Sequence, residues 1–138
     1  MQVYYDKDCD IEIIKGKKVA IIGASTKELS IGNRVLKNLI DFGFKGEIYP
    51  INPKADEIRG IKAFKSITDC PDNIDVVHMV IPAKFVPQAV EDCGKKGVQG
   101  AVVLAAGFGE TGAEGRKLED DMVAVARKYN IRLIGPNT

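Results

Sequence analysis

The sequence predicts a single α/β domain with a mainly parallel five-stranded sheet and helices packed on both of its faces. Three observations carry this. Short apolar runs closed by glycine or proline alternate with stretches whose apolar residues recur at helical spacing, the pattern of strands joined by crossover helices. The chain has 138 residues, near the commonest size for one domain and too short for two ordinary ones. It holds 14 glycines and no tryptophan, a balance suited to many tight strand-to-helix turns.

The first strand is Val19-Ala20-Ile21-Ile22, apolar throughout and closed by Gly23, as expected where both faces are buried. From Ile31 to Phe42 the residues Ile31, Val35, Leu36, Leu39, Ile40 and Phe42 recur mostly at helical spacing, and Gly43 supplies the stop. Glu47 to Ile51 reads as a second strand ended by Asn52-Pro53, because proline cannot continue a central ladder. Gly60 to Phe64 adds a short extended piece. Asp75 to Ile81 is the third clear strand and ends at Pro82. Phe85, Val86, Ala89, Val90 and Cys93 then share one helical stripe. Gly100 to Ala105 forms a fourth strand, after which Gly107, Gly109 and Gly112 break the chain. Leu118, Met122, Val125, Ala126 and Tyr129 give a last amphipathic helix, and Ile131 to Ile134 a fifth strand. The arrangement is Rossmann-like and doubly wound, with residues 1–17 as an N-terminal arm and 18–138 as the domain.

Composition excludes several function classes. Lys and Arg number 20 against 19 for Asp and Glu, so the net charge of +1 gives no global field for nucleic acid or an anionic membrane. Any bound anion must be gripped locally. Cys9, Cys70 and Cys93 lack C-x-x-C spacing, which argues against a zinc site and a disulfide framework and for free thiols in a reducing cytoplasm. The first residues lack a signal peptide's basic start and apolar run, and no stretch approaches about 18 apolar residues.

In a doubly wound sheet, ligands settle beyond the carboxyl ends of the strands, near the switch in strand order. After the first strand come Gly23-Ala24-Ser25-Thr26, then Gly32-Asn33 where the helix begins. Small residues there let a phosphate approach backbone N–H groups at a positive helix end, although any tight strand-to-helix turn also favours Gly23. The spacing from Gly23 to Gly32 does not make G-x-G-x-x-G. The second strand ends in Asn52-Pro53-Lys54, where a dinucleotide site expects an acid for the ribose hydroxyls. A lysine there suits a phosphate near the ribose, such as the 3′-phosphate of coenzyme A, and is otherwise a solvated surface residue.

Five motifs in order resemble the CoA-binding domain of ADP-forming acetyl-CoA synthetases, whose wider family includes the α subunit of succinyl-CoA synthetase. They are VAIIGAS at residues 19–25, GEIYPINPKA at 46–55, IPAKFVP at 81–87, Ala106-Gly107-Phe108, and Ile134-Gly135-Pro136-Asn137. The resemblance implies that the turn from Ser25 to Asn33 contacts the CoA phosphates, that Lys54 pairs with a phosphate, and that Ile81, Pro82 and Ala83 flank the adenine or pantetheine arm. It implies that Ala105, Ala106 and Gly107 line the thiol-bearing arm through backbone groups. Phe85 and Phe108 either shield the ligand or pack in the core.

The family passes a phosphoryl group through a histidine of a following domain, which this chain lacks. Its sole histidine, His78, lies mid-strand with no partner acid or nucleophile and reads as a core or edge residue. The implied protein is a fragment of an acid-thiol ligase that binds CoA or acyl-CoA without turnover alone, serving further synthetase domains or an ATP-grasp subunit. Residues 3–23 resemble the start of ketol-acid reductoisomerase, an NADPH enzyme, up to Gly23. Two other readings therefore stand beside the first: an NADP(H)-binding oxidoreductase fragment, and a stand-alone CoA-binding regulator.

Overall fold

The computed structural model describes residues 5–8, 10–71 and 73–138. Val3, Tyr4 and Cys9, which carry part of the resemblance in the arm, lie outside the described residues. Two single turns, Asp6–Asp8 and Ile11–Ile13, precede the sheet, and the Asp10 carboxylate caps the second by accepting from the Glu12 N–H.

In chain order the elements are β1 (Lys18–Ile22), α1 (Ile31–Asp41), β2 (Glu47–Ile51), β3 (Glu57–Ile58), β4 (Ile61–Lys62) and β5 (Val76–Met79). They continue with α2 (Val86–Lys96), β6 (Gly100–Val103), α3 (Ala113–Lys128) and β7 (Arg132–Ile134). Five strands form one parallel sheet in the order β2-β1-β5-β6-β7, while β3 and β4 make a small antiparallel hairpin. The expected extended piece at Gly60 to Phe64 is split between β4 and a single parallel bridge from Phe64 to Ile51, on the outer edge of β2. The Phe64 N–H donates to the Pro50 carbonyl and the Asn52 N–H to the Phe64 carbonyl, both at 2.9 Å. Counting that bridge as a rudimentary third strand gives the strand order of the dinucleotide-binding fold.

Strand register places the core. Tyr49, Ala20, Val77, Ala101 and Leu133 stand side by side across all five strands and pack beneath α2 and α3. On the other face the corresponding row is Pro50, Ile21, His78, Val102 and Ile134. Here α1 covers only the β1 and β2 half, so Ile21 is fully buried, His78 and Val102 are half-buried and Ile134 is 59% exposed. Parallel sheets are ordinarily covered on both faces, so this half-open face stands out.

Two departures from the sequence reading have clear causes. The third and fourth strands overrun: the ladders stop at Met79 and Val103, and Val80-Ile81 and Leu104-Ala105 become loop. The last helix begins five residues before Leu118, because Ala113 to Lys117 carry no apolar stripe to announce it. Gly115 is needed inside that helix, since a Cβ there would collide with the Phe108 carbonyl oxygen. Phe108 itself is fully buried and packs in the main core.

Candidate functional site

Strands β1 and β5 are neighbours whose following helices lie on opposite faces, so the switch in strand order falls between them. Two glycines bring their loops together. Gly23 has φ +93°, and a Cβ on it would strike the Val80 carbonyl oxygen at the end of β5. A Cβ on Gly32 would strike the carbonyl oxygen of Gly23, so glycine there lets α1 begin directly against the β1 turn. The cradle is therefore shaped by close backbone approach, as an anion site at a helix start requires.

Ser30 caps α1 by accepting from the Asn33 N–H at 3.2 Å. The turn itself is braced by two asparagines. Asn33, only 2% exposed, donates through Nδ2 to the Ser25 carbonyl at 2.7 Å. Asn52 donates through Nδ2 to the Ala24 carbonyl at 2.7 Å and accepts at Oδ1 from the N–H groups of Lys54 and Ala55. Both side chains are thus spent on shaping the loop. Asn52 also stands where a dinucleotide site needs a carboxylate.

The loops open onto a series of clefts. Ser25, Thr26, Lys27, Asn52 and Lys54 line one of about 410 Å³. Gly23 and Pro53 lie on a second of about 200 Å³, which shares Ile81 with a third of about 350 Å³. The third is lined also by Pro82, Ala105, Ala106 and Asn137. Ala24, Gly32, Asn33 and Ala83 lie buried behind these walls, while Phe85 is 53% exposed and its ring carries the Lys84 ammonium at 4.9 Å. Gly107 packs close to Ala83, and its N–H donates to the Glu110 carboxylate. The backbone donors of Gly107, Glu110 and Phe108 hold the Glu110 carboxyl below its usual range.

A larger hollow than these clefts, about 530 Å³, lies elsewhere, on the half-open face between Val35, Leu39, Phe42, His78, Val102 and Leu104. Its wall holds no lysine or arginine and is mostly apolar, with Asn38, His78 and Thr138 as its polar members. Burial lowers the pKa of His78, and β5 is the middle strand of the sheet, so this histidine is a half-buried face residue rather than an edge one. The described residues contain no group of three or more His, Cys, Asp or Glu able to hold a metal.

Three contributors had no individual role in the sequence reading, although Asn137 lies in one of the five motifs and Ser30 within the turn from Ser25 to Asn33. Asn137, whose N–H donates to the Ala105 carbonyl at 3.1 Å, lines the third cleft from a terminal segment with no periodic signal. Ser30 is a helix cap that the spacing from Ser30 to Ile31 could have suggested. Arg59 reaches the cradle only through tertiary folding, its Nε donating to Asn33 Oδ1 at 2.8 Å.

A doubly wound sheet with a braced, glycine-shaped turn at its switch point, and beyond β2 a lysine without a carboxylate partner among the described residues in place of an acid, defines a phosphate-bearing-ligand domain outside the dinucleotide pattern. Residues 17–138 match the family described as the CoA binding domain, and the chain belongs to it. ADP-forming acetate-CoA ligase I subunit alpha of Pyrococcus furiosus is 50% identical over 125 residues, covering 88% of this chain and 27% of that protein. ADP-forming acetate-CoA ligase of Methanocaldococcus jannaschii is 50% identical over 134 residues, covering 96% and 18%. Among solved structures, the dinucleotide-forming acetyl-coenzyme A synthetase 1 of Ca. Korarchaeum cryptofilum, in complex with phosphate and ADP, superposes with a TM-score of 0.85 at 42% identity. That match covers 93% of this chain and 27% of the other. The chain spans about a quarter or less of the length of these relatives. It is a CoA-binding domain homologous to part of ADP-forming acyl-CoA synthetases, with coenzyme A as its ligand class.

Proposed function

We propose that the chain holds coenzyme A or acyl-CoA along the three clefts and serves a synthetase that interconverts acyl-CoA, ADP and phosphate with acid, CoA and ATP. The observation that carries this is the braced Ala24-Ser25 turn with Lys54 beside it and Asn52 in place of an acid. The N–H groups of the Ser25-Thr26 turn and the start of α1 meet the diphosphate, Lys54 meets the 3′-phosphate, and Ile81, Pro82, Ala105, Ala106 and Gly107 flank the pantetheine arm. Residues 18–138 form the ligand-binding unit and 1–17 an arm ahead of it.

Phosphoryl transfer falls to further synthetase domains or an ATP-grasp subunit, since His78 faces the apolar hollow and not the clefts. The half-open face over β5, β6 and β7 supports such partners, which would complete the cover of the sheet. The buried free thiols of Cys70 and Cys93 fit a cytoplasmic setting, and no helix of the described residues is long and apolar enough to cross a membrane. Calorimetry of the chain with CoA, acetyl-CoA, NADP and NADPH tests the reading. Binding of the two CoA species alone is expected; binding of NADP(H) without CoA would overturn it.

A further inference from the structure

We propose that Arg59 is the second cation of the CoA phosphate site, acting with Lys54 on the 3′-phosphate and setting selectivity for CoA over its dephospho form. This deepens the CoA-binding reading and rests on it. Four hydrogen bonds connect the two cations through one turn. The Lys54 N–H donates to Asn52 Oδ1 at 2.8 Å, and Asn52 Nδ2 donates to the Ala24 carbonyl at 2.7 Å. On the adjacent residue, Asn33 Nδ2 donates to the Ser25 carbonyl at 2.7 Å, and Arg59 Nε donates to Asn33 Oδ1 at 2.8 Å. The Arg59 guanidinium and the backbone of Lys54 are therefore keyed to consecutive carbonyls of the same turn.

Arg59 sits at the tip of the β3–β4 hairpin with φ +52°, ahead of Gly60 at +77°. A side chain other than glycine or asparagine is disfavoured there, so an arginine at this place is held against its backbone preference. Its bond to Asn33 uses Nε alone and leaves the two terminal amino groups of the guanidinium, the pair that grips phosphate oxygens, without a partner among the described residues. Neither Arg59 nor Lys54 has a carboxylate partner among the described residues, whereas Lys65, whose ammonium reaches the Ala55 carbonyl beside Lys54, pairs with Asp56. A cation left unpaired beside a paired neighbour is suited to an incoming anion.

The 3′-phosphate is the group that needs this pair. It is a phosphomonoester carrying between one and two negative charges near neutral pH, so one ammonium leaves it short of charge. The diphosphate, in contrast, is met by backbone N–H groups at the start of α1. Segments following the second strand read the substituents of the adenosine ribose in this fold, and the β3–β4 hairpin follows β2 directly.

Calorimetry with CoA and 3′-dephospho-CoA separates the possibilities. Arg59→Gln keeps an N–H for Asn33 Oδ1 and removes the charge, so the fold is preserved; thermal melts of Arg59→Gln and Arg59→Lys check this. Arg59→Gln should weaken CoA binding about tenfold while changing dephospho-CoA binding less than about twofold, and Arg59→Lys should recover part of the loss. Unchanged CoA affinity, or an equal loss for both ligands, overturns the assignment of Arg59. If the unaltered chain binds neither ligand, it is the CoA-binding reading itself that fails.

Discussion

The ammonium of Lys54 is the simplest group to remove from the proposed site, because it is exposed and only its backbone N–H is tied to Asn52. Lys54→Ala should weaken CoA by about 1.5 to 3 kcal/mol, the worth of a charge-assisted hydrogen bond, without lowering the melting temperature. Gly23→Ala should do the reverse of a clean contact loss. Its φ of +93° and the collision with the Val80 carbonyl combine strain with overlap, so urea unfolding should show a loss greater than about 1 kcal/mol together with loss of CoA binding. Gly97→Ala is the control, since φ there is +84° but nothing lies within 4 Å; it should cost less and leave binding intact. His78 gives a pH signature. Burial lowers its pKa below the ordinary 6.5, so the unfolded chain takes up a proton that the native chain refuses. Stability should fall as pH drops from about 7 through 6.5 toward the native pKa, and urea midpoints of His78→Asn should lose that part of the slope.

At the scale of elements, strands and helices were legible wherever burial imposes a period. The run closed by Gly23 and the stripe from Val86 to Cys93 each fall on an observed element, because apolar residues must face a core. Phe85, expected to head that stripe, instead ends the single turn before α2 and is 53% exposed. What escaped is what periodicity does not encode. The first turn of α3 carries no apolar stripe, and Gly115 there packs on the Phe108 carbonyl. The bracing of the cradle by Asn33, Asn52 and Arg59 joins residues up to 28 positions apart, a tertiary fact that spacing cannot show. Asn33 and Asn52 were legible as site positions, but their work as braces was not. Because α1 must start hard against the β1 turn, its cap matters to the site: Ser30→Ala should cost about 1 kcal/mol by chemical denaturation, while Ser30→Asp should retain most of it.

For the whole molecule, the sheet is finished on one face and half-open on the other. The exposed row includes Ile134 at 59%, and Phe42 at 88% stands on the rim of the adjoining hollow, an arrangement suited to burial against another domain. Ile134→Lys and Phe42→Ser should reduce self-association of the isolated chain in sedimentation experiments and leave its CoA affinity unchanged. The claim on which everything turns is that CoA lies across the carboxyl ends of β1, β2, β5 and β6. Titrating CoA into the isotope-labelled chain and following amide chemical shifts tests this directly. The largest shifts are expected at Ser25, Thr26, Lys54, Ile81, Ala105 and Ala106. Shifts confined to Val35, Leu39, His78 and Val102 around the apolar hollow would contradict it.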